Sequence, residues 1–326
     1  MAPVRNYLST GCAILDLAIA DRLPGGFGAG GISHIWGPES SAKSVLIAEP
    51  LGSAIRQGGK ATLVDVEGTF DFARAESVYG VDVSRLEYIS AETEEIEALT
   101  VSYMFDSILR KKIGKSSVQG RPSALGIDSL SAVTSDREYE KEMNERGYGT
   151  TRAMDLSEGF RKYIWGLNRA NLALLFVDQS RDKIGSFVGG KTFSGGNALR
   201  FYASTRVYVE RRKPILNKHD KEIGINVFFK VDKNKIAPPF RNGEFRLLWD
   251  YGIDDIGTSL QFIQANTTGL GKGTYQLPGG KRILGINRAI HAVEDAAQEA
   301  ELRAEVARLW DKTYCAEQRK PKRRTV

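Results

Sequence analysis

The chain has 326 residues, 41% hydrophobic and 26% charged, which suits a soluble globular protein with one large domain and a smaller one. No apolar run is long enough for a membrane span, and two cysteines and three histidines without ligand spacing exclude a disulfide framework and a zinc site. The net charge is +6, and Arg319, Lys320, Lys322, Arg323 and Arg324 stand without an acid in the last nine residues, so the rest of the chain is nearly neutral.

Residues 1–8 carry no apolar signal core, and a cytoplasmic protein is expected. Ser9–Ala20, with Leu15, Leu17 and Ile19, reads as a short amphipathic element, followed by a glycine-rich turn over Pro24–Gly31. Ile32–Trp36 alternates as a strand does. From Lys43, the positions Val45, Leu46, Ala48, Leu51, Ala54 and Ile55 have helical spacing, and Pro50 should dent that helix. Ala61–Val66, Leu125–Asp128 and Leu172–Val177 are further strands between helical stretches Thr93–Lys112 and Leu156–Ala170. Strands alternating with helices predict an α/β fold whose mostly parallel sheet is covered on both faces. After Arg200 the strands Thr205–Arg211, Ile223–Lys230 and Glu244–Leu248 follow one another without helices, which predicts an antiparallel extension. Between Arg200 and Lys235, ten Lys or Arg stand against four acids, a block that can hold phosphate backbones or simply face water. A boundary is expected near Asp254–Thr274, where Thr267–Gly273 is turn-rich, and Ile286–Tyr314 has the apolar spacing of helices. The expected organisation is an arm over 1–8, a core over 9–265, a small α/β or helical domain over 266–317 and a basic tail over 318–326.

The strongest chemical signal is Gly37-Pro38-Glu39-Ser40-Ser41-Ala42-Lys43-Ser44, after a strand and opening a helix. That context is what a phosphate-binding loop requires, because loop and helix N–H groups converge on anionic oxygens. Lys43 would contact the β and γ phosphates, and the Ser44 hydroxyl would ligate Mg²⁺. Ala42 stands where the pattern wants glycine, and its Cβ would crowd the loop at positive φ. Asp128, closing its strand, is placed to hold Mg²⁺. Glu67, just past the strand Leu63–Val66, reaches the same carboxyl edge and is a candidate to orient the attacking water.

These residues, taken in order with others, resemble the bacterial RecA recombinase family. Ser9-Thr10-Gly11 with Leu15-Asp16 looks like its N-terminal motif, Gly37–Ser41 like the opening of its phosphate loop, and Asp65-Val66-Glu67 with Asp71 like the segment of its catalytic glutamate. Gln179–Arg206, containing Lys183-Ile184-Gly185 and Gly195-Gly196-Asn197-Ala198-Leu199, is very similar to its second DNA-binding loop, and Lys233–Phe240 to a motif at its subunit interface. The resemblance spans about Ser9 to Gly273. It implies a RecA-type core that uses ATP and Mg²⁺, a homo-oligomeric helical filament on single-stranded DNA, and strand exchange with homologous double-stranded DNA. It implies that Gln179 senses the γ-phosphate, that Arg181, Lys183, Ile184, Gly195, Gly196 and Asn197 touch DNA, and that Lys233 and Lys235 reach the neighbouring subunit's ATP.

The first DNA-binding loop should occupy Glu138–Arg152, where the match is poor and Arg146, Tyr148 and Arg152 are the candidate contacts. Arg74 stands where the family stacks an aromatic on adenine, and Trp249 is a second candidate for that base. With Ala42, the short arm and the basic tail, these departures indicate a divergent member, of the kind a bacteriophage carries. The alternative is a nucleotide-binding, DNA-binding regulator of recombination with little ATPase activity.

Overall fold

The computed structural model describes residues 6–115, 120–139, 148–182, 191–193 and 196–314. The chain divides into two compact units, one running to Ile253 and one from Asp254. The first contains, in order, β1 (Tyr7–Leu8), α1 (Ala13–Ala20), β2 (Phe27–Gly28), β3 (Ile32–Gly37), α2 (Lys43–Arg56), β4 (Ala61–Asp65), α3 (Phe72–Ser77) and β5 (Leu86–Ile89). A π-helical stretch, Tyr103–Leu109, runs into α4 (Arg110–Lys115), followed by β6 (Ser123–Asp128), α5 (Asp136–Tyr139), α6 (Tyr148–Ala170), β7 (Leu172–Asp182) and β8 (Lys191–Phe193). Then come α7 (Gly196–Tyr202), β9 (Thr205–Leu216), β10 (Glu222–Asn234), β11 (Asn242–Leu248) and β12 (Gly252–Asp254).

One mixed sheet organises this unit, in the order β12-β11-β10-β9-β3-β7-β6-β4-β5. From β5 to β9 every neighbouring pair is parallel, and β9, β10 and β11 pair antiparallel. This is the mostly parallel α/β sheet with an antiparallel extension that the strand–helix alternation and the helix-free run after Arg200 predict. Leu63, Val64, Leu125, Ile127, Leu174 and Phe176 are buried because helices cover both faces, which is why their strands read as continuous apolar runs. The helix α2 lies close on β6, where a Cβ on Gly126 would come within 2.8 Å of the Ile47 side chain.

Two local readings need correction. The segment Ser9–Ala20 is not amphipathic: α1 is buried all round, and its Asp16 accepts from the Thr10 N–H (2.8 Å), the Thr10 hydroxyl (2.7 Å) and the Ser9 hydroxyl (2.6 Å). The Ser-Thr-Gly…Asp pattern is thus a self-contained turn that anchors α1. Thr93–Lys112 is not one helix, because Ser90 and Thr93 exchange side-chain-to-backbone bonds in a turn and Glu95 has φ +53°. Pro50, by contrast, sits inside α2 without ending it.

The second unit holds α8 (Asp255–Asn266), β13 (Thr274–Gln276), β14 (Arg282–Leu284), α9 (Ile286–Asp295) and α10 (Glu299–Tyr314). The division falls ahead of α8, inside the expected boundary stretch 254–274 and before residue 265, because α8 packs with α9 and α10. Asp254 caps α8 by accepting the Gly257 N–H at 2.7 Å, and Trp310 is fully buried beside Phe262. The hairpin β13–β14 was not legible among the turn residues that precede the helices.

Candidate functional site

The carboxyl ends of the parallel strands set the site. Register pairs Gly37 with Gln179 and Asp65 with Asp128, so these four residues stand at one edge of the sheet. Gly37 is required there, since a Cβ would lie 2.0 Å from the Val209 carbonyl oxygen. A cavity of about 180 Å³ opens at that edge, lined by Glu39, Ser40, Ser41, Ala42, Lys43, Ser44, Glu67, Thr69, Asp128, Ser129 and Gln179, among others. Sequence reasoning placed Lys43, Ser44, Glu67, Asp128 and Gln179 together, and the structure brings all five to this one cavity.

The phosphate loop is held from within. Ser41 Oγ and Lys43 Nζ both donate to the Pro38 carbonyl, at 2.7 and 2.6 Å. Ser44 Oγ donates to Asp128 Oδ2 at 2.9 Å. Glu67 accepts at Oε1 from the Ser129 hydroxyl at 2.5 Å, which in turn lies 2.7 Å from Ser131 Oγ. Asp65 shapes the loop that carries Glu67: its carboxylate accepts from the Gly68 and Phe70 N–H groups at 2.9 and 2.8 Å and from the Tyr88 hydroxyl at 3.0 Å. Ser129, Thr69 and the bracing role of Asp65 escaped the sequence reading. Their only signal was adjacency to Asp128 and Glu67.

Charge is concentrated here. Burial pushes Lys43 below the usual lysine range, opposed by the carboxylates of Asp128, Glu39, Asp178 and Glu67. Burial raises Asp128 above the usual carboxylate range; the Ser44 hydroxyl opposes this, and the charges of Glu67 and Asp65 add to it. Hard oxygen donors with a surplus of negative charge suit a small divalent cation that keeps waters and takes its remaining ligands from phosphates.

Ala42 adopts φ +70°, ψ +19°, the left-handed conformation in which its Cβ is a liability. A non-glycine residue there costs about 1–2 kcal/mol, and replacement by glycine gives back about 0.4–1 kcal/mol through the unfolded chain. Ala42→Gly is therefore expected to stabilise the protein by about 0.5–1 kcal/mol. A urea titration would show this as a raised midpoint with an unchanged slope.

Other sequence candidates lie elsewhere or do other work. Asp71 caps α3 by accepting the Arg74 N–H at 2.9 Å, and Arg74 donates from Nε to the Tyr79 hydroxyl and from Nη2 to the Trp249 carbonyl, both at 2.9 Å. None of Asp71, Arg74 and Trp249 lines the cavity. Arg152 donates to the Ser131 and Val133 carbonyls at 3.2 Å each, bracing the turn after Asp128. Lys233 Nζ donates to the Arg200 and Phe201 carbonyls at the end of α7, at 2.6 and 2.9 Å, and Lys235 is exposed. Tyr148 opens α6, Arg181 lies in β7, and Gly196 and Asn197 open α7. Arg146, Lys183, Ile184 and Gly195 lie outside the described residues, as does the tail 318–326. No helix among the described residues is long and apolar enough to cross a membrane.

Comparison with known proteins agrees with this geometry. The family model for the RecA N-terminal domain matches residues 4–254. Protein RecA of Thioalkalivibrio sulfidiphilus is 37% identical over 251 residues, 77% of this chain and 68% of that protein. Protein RecA of Methylococcus capsulatus is 35% identical over 312 residues, 93% of this chain and 85% of that one, and Protein RecA of Parasynechococcus marenigrum is 35% identical over 277 residues, covering 85% and 69%. Matched over most of its length and carrying the expected sheet and phosphate-loop edge, the chain belongs to the RecA family, whose role is ATP-dependent homologous recombination and DNA strand exchange.

Proposed function

We propose that the chain is a DNA-dependent ATPase that polymerises on single-stranded DNA and pairs it with homologous double-stranded DNA. The observation that carries this reading is the shared cavity: Lys43 and Ser44 on the phosphate loop, Glu67 on the loop just past β4, Asp128 at the end of the neighbouring β6, and Gln179 on the strand that leads into the segment 183–190. Lys43 and the N–H groups at the start of α2 hold the β and γ phosphates of ATP. Ser44 and Asp128 would hold Mg²⁺, which when bound neutralises phosphate charge. Glu67, kept in place by Ser129, takes the proton of the attacking water. Gln179 contacts the γ-phosphate and passes its presence to the DNA-binding segment that follows. Arg181, Lys183, Ile184, Gly195, Gly196 and Asn197, with Arg146, Tyr148 and Arg152, form the DNA surface, and Lys233 and Lys235 face the ATP of the next subunit.

The direct test is ATP turnover with and without single-stranded DNA over a range of salt. No stimulation at any salt rejects the reading. Gln179→Ala is expected to leave basal turnover in place and to remove the DNA-stimulated increment.

Lys233 gives a pH prediction. Burial, followed by the charges of Lys235 and Arg206, lowers its pKa to about 8. Its positive charge is therefore complete well below pH 8 and lost as pH rises through that value. If it neutralises a neighbour's phosphate, DNA-stimulated turnover falls above pH 8, and Lys233→Arg extends the active range upward.

One observation favours a second reading, a nucleotide-binding regulator: the strained Ala42 in the phosphate loop. Electron microscopy with an ATP analogue and single-stranded DNA separates the two, since long helical filaments exclude a capping factor.

A further inference from the structure

Next to the cavity, on the sheet face that carries α6 and α7, four strands contribute a row of buried and half-buried charged and aromatic side chains that the function above does not use. His34 and Trp36 project from β3, Asp178 from β7, Arg206 and Tyr208 from β9, and Asp232 from β10. His34 and Asp178 are fully buried and Arg206 is 5% exposed. Asp232 reaches the row through a bulge: Val231 pairs with Val207 and Lys233 with Arg206, which leaves Asp232 as the extra residue, re-aimed by the local kink.

The contacts run in sequence across the sheet. Asp178 Oδ2 lies 3.7 Å from His34 Nε2. Arg206 Nε donates to His34 Nδ1 at 3.2 Å, and Arg206 Nη1 meets Asp232 Oδ2 at 3.4 Å. The Arg206 guanidinium lies 5.1 Å from the Trp36 ring. Each end of the row abuts the machinery. Asp178 precedes Gln179, and its charge is felt at Lys43; Asp232 precedes Lys233; Trp36 precedes Gly37.

We propose that His34, Arg206 and Asp232 are positioning residues that fix Gln179 and Lys233 relative to the phosphate loop, and that the row holds only while His34 is neutral. This rests on the reading of Gln179 and Lys233 given above. The physical ground is the donor–acceptor pattern. Because Arg206 donates to Nδ1, that nitrogen carries no proton, and the neutral ring bears its hydrogen on Nε2, toward Asp178. Protonating Nδ1 breaks the bond from Arg206 and sets two cations side by side in a buried site. The charged groups around the ring are Asp178 from β7, Arg206 from β9 and Asp232 from β10; the two carboxylates favour protonation, Arg206 and burial oppose it, and burial wins, holding His34 below its ordinary 6.5. A group depressed in the folded state contributes stability that is present above pH 6.5 and lost as pH falls through the folded value.

Two measurements on the full chain test this. The first is the NMR titration of the His34 ring in the unaltered protein, where His219 and His291 are the only other imidazoles. The expected result is a neutral ring protonated on Nε2 at pH 7, with a signal that moves when a non-hydrolysable ATP analogue, Mg²⁺ and oligo-dT are added. The second is DNA-stimulated turnover at pH values spanning the His34 titration found by NMR. The wild type should lose about tenfold per pH unit below the His34 titration, the slope of one proton, while His34→Asn, which keeps an acceptor for Arg206 but does not titrate, should lose that limb and keep nucleotide affinity. An identical acid limb in the variant, or a charged His34 at pH 7, overturns the proposal. If His34→Asn fails to fold, the NMR arm decides. An unmoved His34 signal in protein that binds a fluorescent ATP analogue overturns this inference alone, whereas no nucleotide binding at all overturns the cavity's assignment and this inference with it.

Discussion

Lys43→Ala is expected to lower ATP turnover by about 1,000-fold or more, with the fold intact. The ammonium sits at the start of α2 among Asp128, Glu39, Asp178 and Glu67, all of which favour its charged form against the cost of burial. Removing it leaves an acidic cavity facing a polyphosphate. Removing a single preorganised group at a site of developing charge costs about 100- to 1,000-fold, and here the same change also turns attraction for the ground-state phosphates into repulsion. Loss should therefore appear in both nucleotide affinity and turnover. The fold should survive, because the one hydrogen bond resolved for Lys43 goes to the Pro38 carbonyl within the loop, and Asp128, which loses a neighbouring positive charge, keeps its bond from the Ser44 hydroxyl. Phosphate release at saturating ATP, measured beside a thermal melt, checks this. Turnover within tenfold of wild type would remove Lys43 from the chemistry.

Much of this site could be read from the sequence because its parts are local. A strand, a loop and a helix start in Ile32–Lys43 define the phosphate loop without knowledge of the rest of the chain, and Asp128 ends, and Glu67 just follows, apolar strands whose carboxyl edges must coincide in a parallel sheet. The warning attached to Ala42 was local too, and its φ of +70° bears it out. What escaped depends on pairings distant in sequence. Ser129 acts on Glu67 across 62 residues, and Arg206 on His34 across 172. Neither has a periodicity, and a buried histidine on an alternating strand reads as an ordinary polar interruption. Asp232 was hidden for another reason: strict alternation does not anticipate the bulge that turns it toward Arg206. The helix expected over Thr93–Lys112 failed because serine and threonine hydroxyls at Ser90 and Thr93 satisfy backbone groups in a turn, a competition that helical spacing does not register.

Glu67→Gln should separate nucleotide holding from hydrolysis. Ser129 can still donate to the amide oxygen, so the side chain keeps its place while losing the charge that accepts a proton from water. General-base removal costs about 100- to 10,000-fold, and turnover with DNA should fall into that range. Nucleotide affinity should not fall, since Lys43, Ser44 and the loop N–H groups are untouched and one negative charge has left the cavity. ATP held but not hydrolysed keeps Gln179 in its ATP-contacting arrangement, so filaments on single-stranded DNA should outlast those of the wild type when free ATP is removed. Ser129→Ala grades the same argument: Glu67 keeps its charge and loses its anchor, and turnover should drop by about tenfold, the scale of one lost hydrogen bond of about 1.4 kcal/mol. Electron microscopy of filament lifetime, paired with phosphate release, reads both variants. Short-lived Glu67→Gln filaments with normal nucleotide binding would mean that hydrolysis does not set filament turnover, and that Glu67 serves the binding of DNA rather than the fate of ATP.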